Sequence, residues 1–131
     1  MSSKTEMLSE LLKDLSRASQ GTIQASLVIS KSQGLTICSY YPPDVDGPKV
    51  PDEDVIAGRS TQIQMETRKV FKQLERGALV RMLIEGETGY VIICSAGDDA
   101  ILAVLTNKRT NLGYLFFTMT RTASRIEKVL R

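Results

Sequence analysis

YVIICSAGDDAILAVLTNKRTNLGYL, residues 90–115, joins two short apolar runs through an acidic turn and then opens into a long amphipathic stretch. Residues 91–94 and 101–105 are apolar at successive positions, the pattern of strands covered on both faces. Ala96-Gly97-Asp98-Asp99 between them is turn chemistry, so the pair reads as a β-hairpin. Thr110 or Asn111 then caps a helix. Leu112, Leu115, Phe116, Met119, Ala123, Ile126 and Leu130 form its apolar stripe. A central sheet with helices on both faces is the expectation from this stretch.

Working outward, residues 78–86 (ALVRMLIEG) read as a further strand, joined to the hairpin by the turn GETG at 86–89. Before it, Asp52, Glu53 and Asp54 suit the positive end of a long helix, expected to run to about Arg76 and stop at Gly77. Its spacing places Ile56, Ile63, Thr67, Val70, Phe71 and Leu74 on a core face. Gly58, Thr61, Met65, Arg68 and Lys72 fall opposite, with Gln62 and Lys69 beside them. That second face mixes small residues and a methionine with charges, which suits contact with another protein as well as solvent.

All four prolines (Pro42, Pro43, Pro48, Pro51) lie in one surface loop between Tyr41 and Asp52. Residues 22–30 alternate, with Ile23, Ala25, Leu27 and Ile29 on one side and Gln24, Ser26, Val28 and Ser30 on the other. The turn at 31–34 leads to LTICSY, a second strand and a first hairpin. Residues 3–19 carry a stripe of Leu8, Leu11, Leu12, Leu15 and Ala18, with Ser3 and Glu6 as a capping box and Gly21 as a stop. The order is α-β-β-α-β-β-β-α: an α/β fold, a three-layer α/β/α sandwich around a five-stranded antiparallel sheet, expected as one domain over residues 1–131.

The 131 residues are 42% hydrophobic and 24% charged, ordinary globular composition, with a net charge of +2 too small to imply nucleic acid. Trp is absent and aromatics are few, leaving little material for base-stacking platforms. There is no His, which removes the commonest general base and transition-metal ligand. Cys38 and Cys94, each within a strand pattern, read as small buried thiols of a reduced, cytoplasmic chain. The charged, amphipathic start is not the pattern of a signal peptide, and no uncharged apolar run approaches ~20 residues.

No phosphate-binding Gly-x-x-x-x-Gly-Lys-Ser/Thr occurs, so the chain is not itself an ordinary GTPase. Asp98-Asp99 lacks a further carboxylate at ligand spacing and reads as a turn. Cys38, Cys94 and Ser95 have no base partner, and no Gly-x-Ser-x-Gly elbow exists. No enzyme activity, cofactor or metal is expected. Residues 108–131 hold six cations against one acid, which fits solvated charges at a helix C-terminus or a contact with an acidic partner or anionic surface.

IQASLVISKSQGLTI, DEDVIAG and above all AGDDAILAVL…NLGYL, followed by the terminal helix, resemble the Roadblock family, particularly prokaryotic members that act with Ras-like GTPases. The resemblance covers nearly the full length. Ala25 departs from a position often Gly, and the proline-rich loop is longer than in many relatives. The resemblance implies a homodimer, or a heterodimer with another Roadblock-like chain, in which the third strand pairs across a two-fold axis and the long second helices pack side by side. The interface residues so implied are Gly58, Thr61, Met65, Arg68 and Lys72 on the helix, with Ala78, Leu79, Val80, Arg81, Met82 and Leu83 on the strand. An unpaired apolar edge strand and an unpartnered Met65 face give that pairing a physical motive.

The resemblance further implies a non-catalytic platform binding a small Ras-like GTPase through Arg59, Gln62, Met65, Glu66, Lys69, Lys72 and Gln73. Such a platform could speed GTP hydrolysis without an arginine finger of its own. The alternative is an assembly subunit of a motor or membrane-associated complex, with no effect on nucleotide turnover. Membrane contact is expected to be at most indirect, and nucleic acid is not an expected partner.

Overall fold

In the computed structural model, which describes residues 3–131, the elements are α1 (Lys4–Ala18), β1 (Ile23–Ser30), β2 (Thr36–Tyr40), α2 (Glu53–Gln73), β3 (Arg81–Glu85), β4 (Gly89–Ser95), β5 (Ala100–Asn107) and α3 (Leu112–Leu130). Met1 and Ser2, part of the expected 1–131 domain, lie outside the described residues. The strands form one antiparallel sheet in the order β2-β1-β5-β4-β3. This is the expected three-layer α/β fold: α1 and α3 cover one face and α2 the other.

Local partners set the helix ends. Ser3 accepts a hydrogen bond from the Glu6 N–H at 3.1 Å, capping α1. Of the two candidate caps for α3, Asn111 serves, accepting from the Tyr114 N–H at 3.0 Å. The Thr110 hydroxyl accepts instead from the Thr22 hydroxyl at 3.1 Å. The second helix stops three residues short of the expected Arg76. Arg76 N–H donates to Phe71 C=O (3.1 Å) and Glu75 N–H to Lys72 C=O (3.3 Å), a Schellman motif. Glu75, not Gly77, holds its left-handed position at φ 54°.

The core is two clusters separated by the sheet. Leu8, Leu12, Leu15, Val28, Ile92, Leu102, Leu115, Met119 and Ile126 pack beneath α1 and α3. Ala25, Leu27, Ile29, Ile56, Ala57, Ile93, Ile101 and Ala103 pack beneath α2. Ile23, expected beside Ala25, belongs to the first cluster, because a bulge between Ile23 and Ala25 shifts the alternation. Cys38 and Cys94 are free thiols in that same cluster. Burial pushes the Cys94 thiol up to about 12, against a weaker opposing pull from Arg81, and pushes Cys38 up as well.

Two loops are pinned to the sheet. Gln24 Nε2 donates to Pro48 C=O (2.8 Å) and Asn107 Nδ2 to Asp46 C=O (2.9 Å), holding the proline-rich loop across one end of β1 and β5. At the opposite end Lys31 N–H donates to Asp99 C=O and Lys31 Nζ to Gly97 C=O, both at 2.9 Å. Asp98 and Asp99 are exposed at the tip of the β4–β5 turn, whose sharpest point is Gly97 at φ 88°.

Candidate protein-docking surface

The second helix carries two kinds of face, and they are not the two that its apolar spacing suggests. Its buried residues are Ile56, Ala57, Ser60, Thr61 and Gln64, small and polar for a core stripe. No residue of α2 after Gln64 is buried. At 1.5 Å per residue α2 is about 31 Å long, and only its first three turns lie over β1 and β2. Ile63, Val70 and Leu74, expected in the core, are exposed, and Thr67 and Phe71 are half-buried.

Thr61 requires the converse correction. Expected on the outer face, it is only 8% exposed, its hydroxyl donates to Ala57 C=O at 2.8 Å, and Gly34 of the β1–β2 turn lies against it. Helical geometry is the cause. Ile56, Ser60 and Gln64 follow one another at one turn, and Thr61 lies beside that row. The true core stripe is therefore rotated from the line of large apolar residues.

Of that line, Ile63 borders an open cleft, while Val70 and Leu74 lie beyond it. Val55, Ile63, Arg59, Gln62 and Glu66 form one wall; Ile84, Val91, Ile93 and Leu105 form the floor, and about 570 Å³ lies between. The floor is the half of the sheet that α2 covers only in part: Ile93 is buried, Val91 and Leu105 are half-buried and Ile84 is exposed. Ile84 pairs with Val91 and Met82 with Ile93, so these side chains share the face of β3 and β4 toward α2.

β3 ends the sheet and is almost wholly exposed. It begins at Arg81, later than the expected residue 78. Ala78, Leu79 and Val80 approach it as a loop, with Ser95 N–H donating to Val80 C=O at 3.3 Å. Val80 is 70% exposed and Leu83 44%, while Leu79 and Met82 are half-buried. Arg81 turns to the other face of the sheet and stacks over the Phe116 ring at 4.3 Å. Beyond Glu85 a bond from Lys108 crosses the strand end, and it lowers the Glu85 carboxyl below its ordinary range while raising the Lys108 ammonium.

The remaining residues singled out on α2 are solvent-facing. Gly58, Arg59, Gln62, Met65, Glu66, Arg68, Lys69, Lys72 and Gln73 are all exposed, Met65 at 47%. Arg59 donates to Gln62 Oε1 at 2.9 Å and Lys69 lies 3.3 Å from Glu66, so short-range pairs order this ridge. At its C-terminal half, Gln64, Arg68 and Lys72 border a recess with Lys31, residues 78–80 and Asp98. Burial, then the nearby Arg68, holds the Lys31 ammonium below its usual range, opposed by Asp98 and Asp99.

The cleft-lining residues missed by spacing alone are Val55, Ile84, Val91 and Leu105, and Ile63, Val70 and Leu74, expected in the core, lie exposed. The available signal was the length of the stripe, which outruns any sheet strand beneath it. Among the described residues no three His, Cys, Asp or Glu side chains come together as a metal site, and no helix is long and apolar enough to cross a membrane.

The Roadblock/LC7 domain profile matches residues 7–106. The uncharacterized protein MJ0310 of Methanocaldococcus jannaschii is 31% identical over 121 residues, covering 92% of this chain and 97% of that one. Among solved structures, the gliding protein MglB of Thermus thermophilus superposes with a TM-score of 0.87 at 19% identity, covering 98% of this chain and 92% of its own. A structure of MglB in a tetrameric arrangement gives 0.88 at 19% identity over 98% and 91%. A Roadblock/LC7 domain from Streptomyces avermitilis gives 0.78 at 17% over 93% and 96%. The chain belongs to the Roadblock/LC7 family.

Proposed function

We propose that the protein is a non-catalytic, cytoplasmic homodimeric platform that binds and regulates a small Ras-like GTPase. The observation that carries the reading is the unfinished α2 side of the molecule. An exposed apolar helix stripe, a partly covered apolar sheet floor and an exposed edge strand lie next to one another. A second copy completes all three at once. Antiparallel pairing of β3 with its counterpart requires a two-fold axis normal to the sheet, which keeps both α2 helices on the same face. Each helix then closes the other's cleft, and the edge strand gains a partner.

In that dimer the outward ridge of each α2, with Met65, Lys69, Lys72 and Gln73, is left free for the GTPase, while Arg59, Gln62 and Glu66 on the cleft wall border it at the seam between the two copies. Exposed Met65 supplies an adaptable apolar contact among charges. Regulation would act on the GTPase's own switch loops rather than through a donated catalytic group. The resemblance to prokaryotic Roadblock proteins acting with Ras-like GTPases supplies the partner class.

Single-turnover GTP hydrolysis by a Ras-like GTPase of the same organism, with and without this protein, separates regulator from scaffold. Faster hydrolysis that is lost in Met65→Glu is the expected result. Binding with an unchanged rate assigns an assembly role instead.

A further inference from the structure

We infer that the outer face of α3 is a contact surface for an anionic membrane. Charge is distributed unevenly along the chain. Residues 108–131 hold six cations and one acid, leaving eleven cations and fourteen acids to the first 107 residues. The structure concentrates that excess on one ridge. Arg121, Arg125 and Lys128 lie on the exposed side of α3, with Arg109 before it and Arg131 at its end. None of Arg109, Arg121, Arg125 and Lys128 has an ion-pair partner among the described residues. The one acid, Glu127, lies against Gly97 of the β4–β5 turn and pairs with Arg131 at 3.9 Å. The neighbouring α1 adds no net charge, its Glu6, Glu10 and Asp14 being matched by Lys4, Lys13 and Arg17.

Charge alone would describe a solvated helix end. The second observation is that two aromatic rings stand out of the same ridge: Phe117 is 58% exposed and Tyr114 51%. Arg121 lies over the Phe117 ring at 5.6 Å. Tyr114, Phe117, Arg121, Arg125 and Lys128 follow at helical spacing for about 21 Å. Aromatic rings among long cationic side chains suit a headgroup layer, where rings enter at headgroup depth and cations meet the phosphates. An acidic protein would need carboxylates set against each cation, whereas a fluid anionic surface supplies them to any arrangement.

Nothing in that ridge requires the proposed dimer. An in-sheet dimer would nevertheless place both α3 ridges on one side and both α2 ridges on the other, doubling the membrane face away from the GTPase.

Flotation with vesicles of phosphatidylcholine alone, and of phosphatidylcholine with about 30% phosphatidylglycerol, tests it, at salt from about 50 to 500 mM so that screening is varied. The protein should float with the anionic vesicles only, and progressively less as salt rises. Arg121→Gln, Arg125→Gln and Lys128→Gln together should weaken binding about 100-fold, at roughly fivefold per cation. Phe117→Ser should weaken it while leaving the salt dependence in place. Leu83→Arg, a monomer by the dimer proposal, should keep the lipid preference at lower affinity.

Equal flotation with both vesicles, no flotation with either, or a triple variant that binds like the parent overturns the inference. Binding to polyglutamate without binding to anionic vesicles overturns it in favour of an acidic protein. A tetramer dissolved by Phe117→Ser also overturns it, assigning the ridge to contact between copies.

Discussion

Replacing Ile63 by Arg separates the chain's own core from the surface proposed for a second copy. Ile63 is 39% exposed. Full burial of an isoleucine contributes about 1.5–3 kcal/mol, so closing its cleft adds roughly 0.6–1.2 kcal/mol per chain, or about 1–2.5 kcal/mol per symmetric dimer. Arginine forfeits that and brings two guanidinium groups into a cleft floored by Ile84, Val91 and Leu105. An uncompensated charge there costs at least a further ~2 kcal/mol. Dimerisation should therefore weaken by at least about 100-fold. The fold should survive, because the arginine stem can lie along the helix with its head in water.

Light scattering across the micromolar range, with thermal unfolding as a control, measures both effects. The parent should be a dimer, and the variant a folded monomer. A variant that dimerises as tightly as the parent would refute the assignment of the cleft to a second copy. So would a parent that stays monomeric at high micromolar concentration.

Three further outcomes are expected. Glu75→Gly should stabilise the chain by about 0.5–1 kcal/mol in denaturant unfolding, since a left-handed φ of 54° is costly for glutamate and free for glycine. Ser26→Ala should be neutral or stabilising by about 1 kcal/mol, because the Ser26 hydroxyl is fully buried with no hydrogen-bond partner. Cys94 should resist thiol reagents at pH 8 until denaturant is added. Its thiol ionises near 9.0 when unfolded but only at about 12 when folded. That contribution is intact below pH 9 and falls as pH rises toward 12, by up to about 1.4 kcal/mol per unit. Cys94→Ala should remove this component.

The fold was legible because its signals are local. The continuous apolar runs at 91–94 and 101–105, the Ala-Gly-Asp-Asp turn and the asparagine cap each specify their element without reference to the others. Ile23 was misplaced because a bulge is a pairing feature that alternation cannot reveal. The docking surface was harder to read. Periodicity finds the stripe of large apolar residues on α2 but not what covers it, and the ordinary inference is the chain's own core. Here that core takes Ser60, Thr61 and Gln64, while Ile63, Val70 and Leu74 remain outside. The helix carries two adjacent stripes, one buried on its own sheet and one left exposed, and only the position of the sheet beneath it tells them apart. The basic excess of residues 108–131 was visible in sequence; that Phe117 and Tyr114 stand among those cations was not, because α3 carries aromatics on both its faces.

Docking of a small Ras-like GTPase on the α2 ridge is the central claim. Titrating this protein into a Ras-like GTPase of the same organism, loaded in turn with fluorescent GDP and a non-hydrolysable GTP analogue, measures that directly. Saturable binding that prefers one nucleotide state, weakened at least tenfold by Met65→Glu (about 1.4 kcal/mol), is the predicted result. Absence of binding in both nucleotide states would contradict it.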